Sequence, residues 1–226
     1  MQGVVIKSTG SWYTVLSKDS IIECRIKGVF RIKDIKTTNP IAVGDNVDFE
    51  MEADGRGVIH SIADRKNYII RKSINLSKQS HILAANVDQA MLVVTLAFPR
   101  TSAGFIDRFL LTAEAYHIPT KIIFNKVDLF LKDENLMNEL NAFIAIYEKI
   151  GYQCYKVSAA ENIDIEELRN LTKGKTTLIS GHSGVGKSTL VNAMDSNLDL
   201  KVGEISDAHN KVKHTTTFAE MHLLTY

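Results

Sequence analysis

The chain has 226 residues, of which 45% are hydrophobic and 23% are charged, and its net charge at pH 7 is +1. This composition is typical of a globular protein with one large domain or two modest ones, and it excludes a nucleic-acid binder that acts through bulk charge alone. No apolar run has the length of a membrane span, and the first residues lack the pattern of a signal peptide. The two cysteines, Cys24 and Cys154, lie far apart in the sequence, which fits a reducing compartment. We therefore expect a cytoplasmic protein without a membrane partner.

Short β-prone runs dominate the first part of the chain, residues 1–68. They are rich in Val, Ile and aromatic residues, and they are separated by Gly, Asn and Asp, which favour turns. The clearest runs are Val4–Ile6, Tyr13–Leu16, Ile21–Ile26 and Val47–Met51. About five such strands without a long helix predict an all-β barrel of the OB type.

The remainder of the chain, residues 69–226, alternates strand-like and helix-like segments. Ala90–Thr95 and Lys121–Phe124 are continuous apolar runs, which are typical of parallel strands buried on both faces. Apolar residues at helical spacing predict two helices, the second ended by Gly151. Their buried faces are predicted to contain Ile106, Leu110 and Ala113, and Leu136, Leu140, Phe143, Ile144, Tyr147 and Ile150. This rhythm predicts an α/β domain with a mostly parallel sheet.

A glycine-rich segment follows the strand-like run Thr176–Ile179 and precedes an apolar helical run. In such a loop several backbone N–H groups point at phosphate oxygens, and the positive end of the helix dipole favours the anion. The Lys187 ammonium is expected to contact the β- and γ-phosphates, and the Ser188 hydroxyl is expected to bind Mg²⁺. The predicted phosphate-binding residues are Gly181, His182, Ser183, Gly184, Val185, Gly186, Lys187, Ser188 and Thr189.

A possible base reader follows directly on the run that ends at Phe124, and consists of Asn125, Lys126, Val127 and Asp128. It lies at the carboxyl end of a predicted parallel strand, where ligands bind in such sheets. The Asp128 carboxylate can accept two hydrogen bonds from guanine, whereas adenine offers the wrong donors. The stem of Lys126 can cover the base plane, and Asn125 can tie this loop to the phosphate loop.

The dipeptide Ser158-Ala159 follows a third strand-like run, Cys154–Val157, and could present a backbone N–H to the guanine carbonyl. Three motifs at three successive strand ends predict a site for GTP and GDP. The base reader precedes the phosphate loop in this chain, which is the reverse of the order in an ordinary GTPase. The sequence therefore predicts a circularly permuted P-loop GTPase domain.

Together these motifs resemble the RsgA (YjeQ) family of circularly permuted GTPases, which act in late maturation of the small ribosomal subunit. Two further segments that are specific to that family, Ala85–Gln89 and His214–Thr217, extend the resemblance through nearly the whole chain. The resemblance implies an OB domain that contacts 16S ribosomal RNA. It also implies binding to the 30S subunit and GTP hydrolysis that is slow without the ribosome and faster on it. We expect the protein to be a monomer.

In the family the chain normally continues into an Asp-x-x-Gly switch and then a zinc-binding helical domain. The sequence ends at Tyr226, so we expect a truncated product, with zinc bound only in a longer form of the protein. The literal match Asp54–Gly57 lies in the barrel region and is interpreted as a turn.

The segment around residues 209–217 resembles the first switch of the family. A threonine there is expected to sense Mg²⁺ and the γ-phosphate, and the candidates are Thr215, Thr216 and Thr217. Thr216 and Thr217 are favoured, with Thr217 as the Mg²⁺ ligand. His214 is the first candidate for orienting the attacking water, ahead of His182 and His209. Alternatively, the threonines are a β-prone run that begins an edge strand, and His214 is a solvated histidine.

A basic stretch in the barrel region is the candidate RNA contact, and it contains Arg25, Lys27, Arg31, Lys33 and Lys36. OB barrels bind single strands through basic grooves and stacking aromatic side chains, for which Trp12 and Tyr13 are candidates. The alternatives are a solvated charged face and, for Trp12, a place in the core.

Two other function classes stay open at this point. The first is a P-loop ATPase or kinase, in which Asn125–Asp128 would be accidental. The second is an RNA-binding module whose nucleotide site is vestigial. Comparing the binding of GTP and ATP separates the first from a GTPase, and GTP turnover on 30S subunits separates the second.

Overall fold

The computed structural model describes residues 1–26, 40–72, 80–201 and 219–226. The chain divides into two compact units, of which the first runs to Val87 and the second begins at Asp88. Residues 219–223 belong to the first unit, and Leu224–Tyr226 belong to the second. The sequence placed the domain boundary after residue 68, whereas the structure groups residues 69–87 with the barrel.

The first unit is built on a closed five-stranded barrel with the strand order β1-β2-β3-β5-β4. Its strands are β1 (Gln2–Ser8), β2 (Tyr13–Ser17), β3 (Ser20–Ile26), β4 (Asn46–Met51) and β5 (Gly57–Ile62). Strands β3 and β5 are parallel, and the other neighbouring pairs are antiparallel. The OB-type barrel predicted from the sequence is confirmed.

Alternation of side chains along each strand produces the barrel core. In β2, Tyr13 and Val15 are fully buried, and they pack with Cys24, Phe49 and Ile59. The stacking role predicted for Tyr13 is therefore wrong, because its ring fills the barrel and its hydroxyl donates to the Gly10 carbonyl at 3.3 Å. Burial raises the pKa of Tyr13 to about 12.

Two further strands, β6 (Tyr68–Lys72) and β7 (Ser80–Ala85), form an antiparallel pair in the first unit. The segment that follows them is held by asparagine side chains. Asn86 donates to the Gly44 carbonyl at 2.8 Å and accepts from Lys66 N–H at 2.9 Å. Asn67 both donates to and accepts from the backbone of Val87 at 2.8 Å. These bonds give a structural reason for the Asn-Val pair that the sequence analysis singled out.

The second unit contains a four-stranded parallel sheet in the order β10-β9-β8-β11. Its strands are β8 (Gln89–Val94), β9 (Thr120–Phe124), β10 (Gln153–Lys156) and β11 (Thr177–Ser180). The helices are α1 (Ala103–Ala115), α2 (Glu134–Lys149), α3 (Ile165–Thr172) and α4 (Lys187–Met194). Within the described residues, β11 comes last along the chain in this sheet, and it pairs in parallel with β8, which comes first.

Helices cover both faces of this sheet, which explains why its central strands, β8 and β9, contain continuous apolar runs. Leu92 and Val94 point to one face with residues of α1 and α2, whereas Met91 and Val93 point to the other with residues of α3 and α4. The predicted face of α1 is confirmed, since its buried residues are Ile106, Leu110 and Ala113. In α2 the prediction was wrong for Ile150, which caps the helix and is exposed.

Within the described segments, no helix combines the length and the apolar character needed to cross a membrane.

Candidate nucleotide-binding site

Three loops at the carboxyl ends of β9, β10 and β11 carry the residues that the sequence predicted for nucleotide binding. They are the base-reading loop Asn125–Asp128, the Ser158-Ala159 turn and the phosphate loop Gly181–Ser188. Because parallel strands end at the same edge of a sheet, the three loops lie side by side. Side-chain hydrogen bonds then join them into one site.

Asn125 is the centre of this site. Its side chain is 2% exposed. Its Nδ2 donates to the Val185 carbonyl in the phosphate loop at 2.9 Å, and its Oδ1 accepts from Ala159 N–H at 3.1 Å. One amide therefore ties the base-reading loop to both of its neighbours, as the sequence predicted for the phosphate loop.

The Asp128 carboxylate is oriented by a side chain that sequence reasoning missed. The Ser158 hydroxyl donates to Asp128 Oδ1 at 2.5 Å and accepts from Glu161 N–H at 3.1 Å. Ser158 is fully buried, so its single proton is committed to the carboxylate. No local signal in the sequence could reveal this bond, because the two residues are 30 positions apart.

The backbone N–H groups of the Ser158-Ala159 turn have acceptors within the protein. Ser158 N–H donates to the Ile163 carbonyl at 3.2 Å, and Ala159 N–H donates to Asn125. For either N–H group to donate to the guanine carbonyl it would have to leave this acceptor, and that expected role stays a prediction. Its contribution here is to hold Asn125 and Asp128 in place.

Lys126 crosses the site from the base-reading loop. Its backbone is left-handed, with φ of 65°, and its side chain is half-buried. The Lys126 ammonium donates to the Phe98 carbonyl, in the loop between β8 and α1. Burial lowers the pKa of Lys126, and the nearby Asp128 carboxylate opposes that effect.

Two glycines of the phosphate loop are required by close contacts. A Cβ on Gly181 would lie 2.2 Å from the Val93 carbonyl oxygen, and one on Gly186 would lie 2.5 Å from Asn125 Nδ2. Both residues also have positive φ angles, of 150° and 91°, which favour glycine. The loop thus approaches the sheet and Asn125 more closely than any other residue type would allow.

Lys187 begins α4, directly after Gly186. Its Nζ donates to the carbonyls of Gly181 and His182 at 2.9 and 2.7 Å, so the ammonium lies against the phosphate-loop backbone. Burial lowers the pKa of Lys187. Ser188 and Thr189 follow in the first turn of α4 and are half-buried.

His182 stacks on α1. Its ring centroid lies 3.7 Å from that of Phe105, with an interplanar angle of 31°. Burial, the Lys187 ammonium and the Arg108 guanidinium lower the pKa of His182. The ring therefore contacts the helix through its face, and the neutral imidazole is favoured.

Several predicted residues lie outside the described part of the chain. They are His209, His214, Thr215, Thr216 and Thr217 of the first-switch candidate and Lys27, Arg31, Lys33 and Lys36 of the basic stretch. Among the described residues, no group of three or more His, Cys, Asp or Glu could hold a metal ion.

Arg25 and Trp12 are the described members of the candidate RNA contact that face solvent. Arg25 Nη2 donates to both carboxylate oxygens of Glu52, at 2.8 and 3.0 Å, so its charge is already matched. Trp12 is 38% exposed, and the Arg56 guanidinium lies 5.2 Å from the centre of its ring system. Sequence reasoning missed Arg56. Its contact with Trp12 forms only because the β1–β2 turn lies next to the β4–β5 turn in the folded barrel.

A phosphate loop and a guanine-reading Asn-Lys-x-Asp motif on one parallel sheet define the class of P-loop GTPases. The base reader comes first in the chain, which makes this a circularly permuted member of the class. Family comparison agrees: residues 62–225 match the family described as RsgA GTPase, and residues 2–59 match the RsgA N-terminal domain. The chain belongs to the RsgA GTPase family, as the sequence motifs indicated.

Relatives named small ribosomal subunit biogenesis GTPase RsgA match almost the whole chain. The protein from Bacteroides fragilis is 57% identical over 222 residues, which cover 98% of this chain and 71% of the relative. The protein from Flavobacterium johnsoniae is 54% identical over 230 residues, which cover 100% of this chain and 70% of the relative.

Two solved structures share the fold. The crystal structure of YjeQ from Thermotoga maritima has a TM-score of 0.68 and 37% identity, and the match covers 88% of this chain and 66% of that one. YloQ, whose title calls it a circularly permuted GTPase, has a TM-score of 0.62 and 31% identity, with 87% and 64% covered. The chain thus spans slightly less than two thirds of these solved chains.

Proposed function

We propose that this protein binds GTP and GDP with Mg²⁺ and hydrolyses GTP in the maturation of the small ribosomal subunit. The observation that carries the proposal is the position of Asn125, whose amide joins the base-reading loop to the phosphate loop and to the Ser158-Ala159 turn. Groups suited to a purine and groups suited to a polyphosphate are thereby held at one edge of one sheet.

Guanine selectivity is assigned to Asp128. Its carboxylate can accept from the ring N–H and the exocyclic amine of guanine together, and the Ser158 hydroxyl orients it for this. Adenine lacks that pair of donors, so the partly buried carboxylate would lose both bonds to the base, which is worth a factor of about 10⁴ in selectivity in comparable sites. This arrangement does not favour the adenine base that an ATPase or kinase binds.

The phosphates are assigned to the loop Gly181–Ser188 and to the first turn of α4. At Gly181 and Gly186 the loop backbone has no side chain and comes close to Val93 and Asn125, and a glycine-rich loop before a helix fits a polyanion. Lys187 would neutralise phosphate charge, and the Ser188 hydroxyl would hold Mg²⁺, with Thr217 as a second ligand from outside the described residues. When bound, Mg²⁺ supplies further charge neutralisation at the phosphates.

Hydrolysis by the protein alone is expected to be slow. Thr216, Thr217 and His214, which lie outside the described residues, are the proposed sensing and water-orienting groups. In other GTPases a catalytic group that a partner supplies raises the rate by about 10³–10⁵. We propose the 30S subunit as that partner, because the relatives are named for its biogenesis.

The barrel is proposed as the contact with 16S ribosomal RNA, through the basic stretch Arg25–Lys36 and Trp12. Such a protein would act as a monomer in the cytoplasm, where ribosomes assemble. Zinc is proposed only for forms of the protein that carry a further zinc-binding domain.

Nucleotide selectivity provides the first test. We expect calorimetry to give GDP and GTP affinities far above the affinity for ATP. Asp128→Asn should weaken GDP binding about 100-fold and favour xanthosine diphosphate, whose carbonyl can accept from the new amide. Asp199→Asn, at an exposed position of the same unit, is the matched control and should bind GDP normally. Equal binding of ATP and GTP would instead indicate an ATPase or kinase.

Turnover provides the second test. GTP hydrolysis should be measured with and without 30S subunits at saturating nucleotide. We expect the 30S subunit to stimulate hydrolysis strongly. Equal rates would show that the subunit is not the activating partner. Nucleotide binding without any turnover on 30S subunits would identify a vestigial site.

A further inference from the structure

The loop between β8 and α1 is closed by two buried threonines. Thr95 N–H donates to Thr101 Oγ1 at 3.2 Å, and Thr101 N–H donates to the Thr95 carbonyl at 2.8 Å. The Thr95 hydroxyl donates in turn to the Pro99 carbonyl. Thr95 and Thr101 are 1% and 2% exposed, so the bond between Thr95 N–H and the Thr101 hydroxyl is shielded from water. A buried hydroxyl without a partner would be unfavourable, which makes the closed loop the stable arrangement.

Phe98 lies at the tip of this closed loop. Its side chain is 68% exposed, so the ring adds little to the packing of the loop. Its backbone carbonyl, by contrast, accepts the hydrogen bond of the Lys126 ammonium. The loop therefore presents a fixed acceptor to a cation of the base reader, and such charge-assisted bonds are the stronger kind.

Lys126 is consequently held at both ends. Its backbone follows Asn125, which is fixed by bonds to Val185 and Ala159. Its Cε lies 4.0 Å from the position that a Cβ would take on Gly186, at the end of the phosphate loop. The hydrocarbon stem is thus fixed between the phosphate loop and the Phe98 carbonyl, and a lysine that is ordered in advance loses less entropy when a ligand binds.

We propose that Thr95 and Thr101 are positioning residues for guanine-nucleotide binding, which act by presenting the Phe98 carbonyl to Lys126. The inference rests on the proposed function and adds to it a loop that positions Lys126. The loop orders the lysine stem so that the stem packs on the purine plane. Its effect is therefore on the base and not on the phosphates.

The test compares a nucleotide with a ligand that has phosphates alone. Thr101→Val keeps the shape of the side chain but removes the acceptor that closes the loop. We expect GDP affinity to fall about fivefold, while inorganic tripolyphosphate competes with a fluorescent GDP analogue at an unchanged inhibition constant. Thr101→Ser, which keeps the hydroxyl, should restore GDP affinity. Thr112→Val removes a hydroxyl that bonds only within α1 and is the matched control.

A double-mutant cycle with Lys126→Met tests whether Thr101→Val lowers GDP affinity through Lys126. Because both changes break the same connection, the loss in GDP affinity for the pair should be no larger than that for Lys126→Met alone. Additive losses would overturn the inference, and so would an equal loss of tripolyphosphate affinity. If Thr101→Val does not fold, Phe98→Gly serves instead, because glycine accepts the φ of 53° at that exposed position while it loosens the tip.

Failure of this inference can be distinguished from failure of the proposed function. If the wild-type protein binds ATP as well as GDP, the proposed function fails before any variant is made. If the wild-type protein selects GDP and the cycle is additive, only the role of the threonine-closed loop is overturned.

Discussion

Gly57 in the barrel and Gly181 and Gly186 in the nucleotide site all admit close neighbours, but these neighbours differ in kind. In the barrel, a Cβ on Gly57 would lie 2.5 Å from Cys24 Sγ and 3.0 Å from the Phe49 ring, so the glycine allows apolar packing. In the nucleotide site, Gly181 and Gly186 admit the Val93 carbonyl and the Asn125 amide, which are polar. The contacts of the barrel hold the fold together, whereas those of the site hold ligand loops together. Substitutions should therefore lower stability in the barrel and lower affinity in the site.

The largest effect is expected from Gly186→Ala in the nucleotide site. The added methyl group would push Asn125 away from the phosphate loop and separate the base reader from the cradle. We expect calorimetry to show a loss of GDP affinity of about 100-fold or more.

Gly151→Ala is the matched control for that variant. Gly151 has a similar φ of 98°, but nothing lies within 4 Å of the added Cβ. The control should lose about 1–2 kcal/mol of unfolding free energy through backbone strain alone and keep its GDP affinity. Equal losses of affinity in both variants would show that strain, and not the Asn125 contact, is responsible.

The next effect is expected from Gly57→Ala in the barrel. Overpacking against Cys24 and Phe49 should lower the unfolding free energy by about 1–3 kcal/mol, measured by urea denaturation, with GDP affinity unchanged. Adding Cys24→Ala makes room for the methyl group, so the double variant should be less destabilised than the sum of the single changes. A loss of GDP affinity in Gly57→Ala would contradict the proposed difference, in which barrel contacts affect stability and site contacts affect affinity.

A smaller effect is expected from Ser158→Ala. Without its hydroxyl the Asp128 carboxylate loses the donor that orients it, so GDP affinity should fall about tenfold. Ser196→Ala, at an exposed position of the same unit, is the control and should bind GDP as the wild type does. An unchanged affinity for Ser158→Ala would mean that Asp128 needs no orienting partner.

The smallest effect concerns pH and His182. Its pKa is lowered from the ordinary value of 6.5 by burial, the Lys187 ammonium and the Arg108 guanidinium. Just below pH 6.5 the unfolded chain therefore binds more protons than the folded chain, so this stabilising contribution is present above that pH and is lost as pH falls. An NMR titration should give a pKa below 6.5 for His182, and Lys187→Met should raise it. A pKa at or above 6.5 would contradict the effects assigned to burial and to the two cations.

The sequence predicted the strands and helices better than it predicted the directions of individual side chains. The barrel, the parallel sheet and the buried face of α1 were predictable, because alternation and helical spacing reflect burial directly. Tyr13 shows the limit of such reasoning. An aromatic residue in a β-prone run suits a stacking surface and a core equally well, and only barrel closure directed this ring inward.

Within the site, the phosphate loop and the base reader were predictable because each is a contiguous motif with its own chemistry. The bonds that join and orient them were largely beyond the sequence. Ser158 meets Asp128 across 30 positions and Lys126 meets Phe98 across 28. The tie between Asn125 and Val185, across 60 positions, was anticipated only because the two motifs share a ligand.

The sequence by itself determined that this chain is a permuted GTPase of the RsgA family, since short motifs encode backbone shape and hydrogen-bonding chemistry in consecutive residues. Only the tertiary structure decided which groups hold those motifs together, namely the Asn125 amide, the Ser158 hydroxyl and the threonine-closed loop that reaches Lys126. The physical reason is that these bonds depend on strand order and register, which bring distant residues together and which no local pattern of residues encodes.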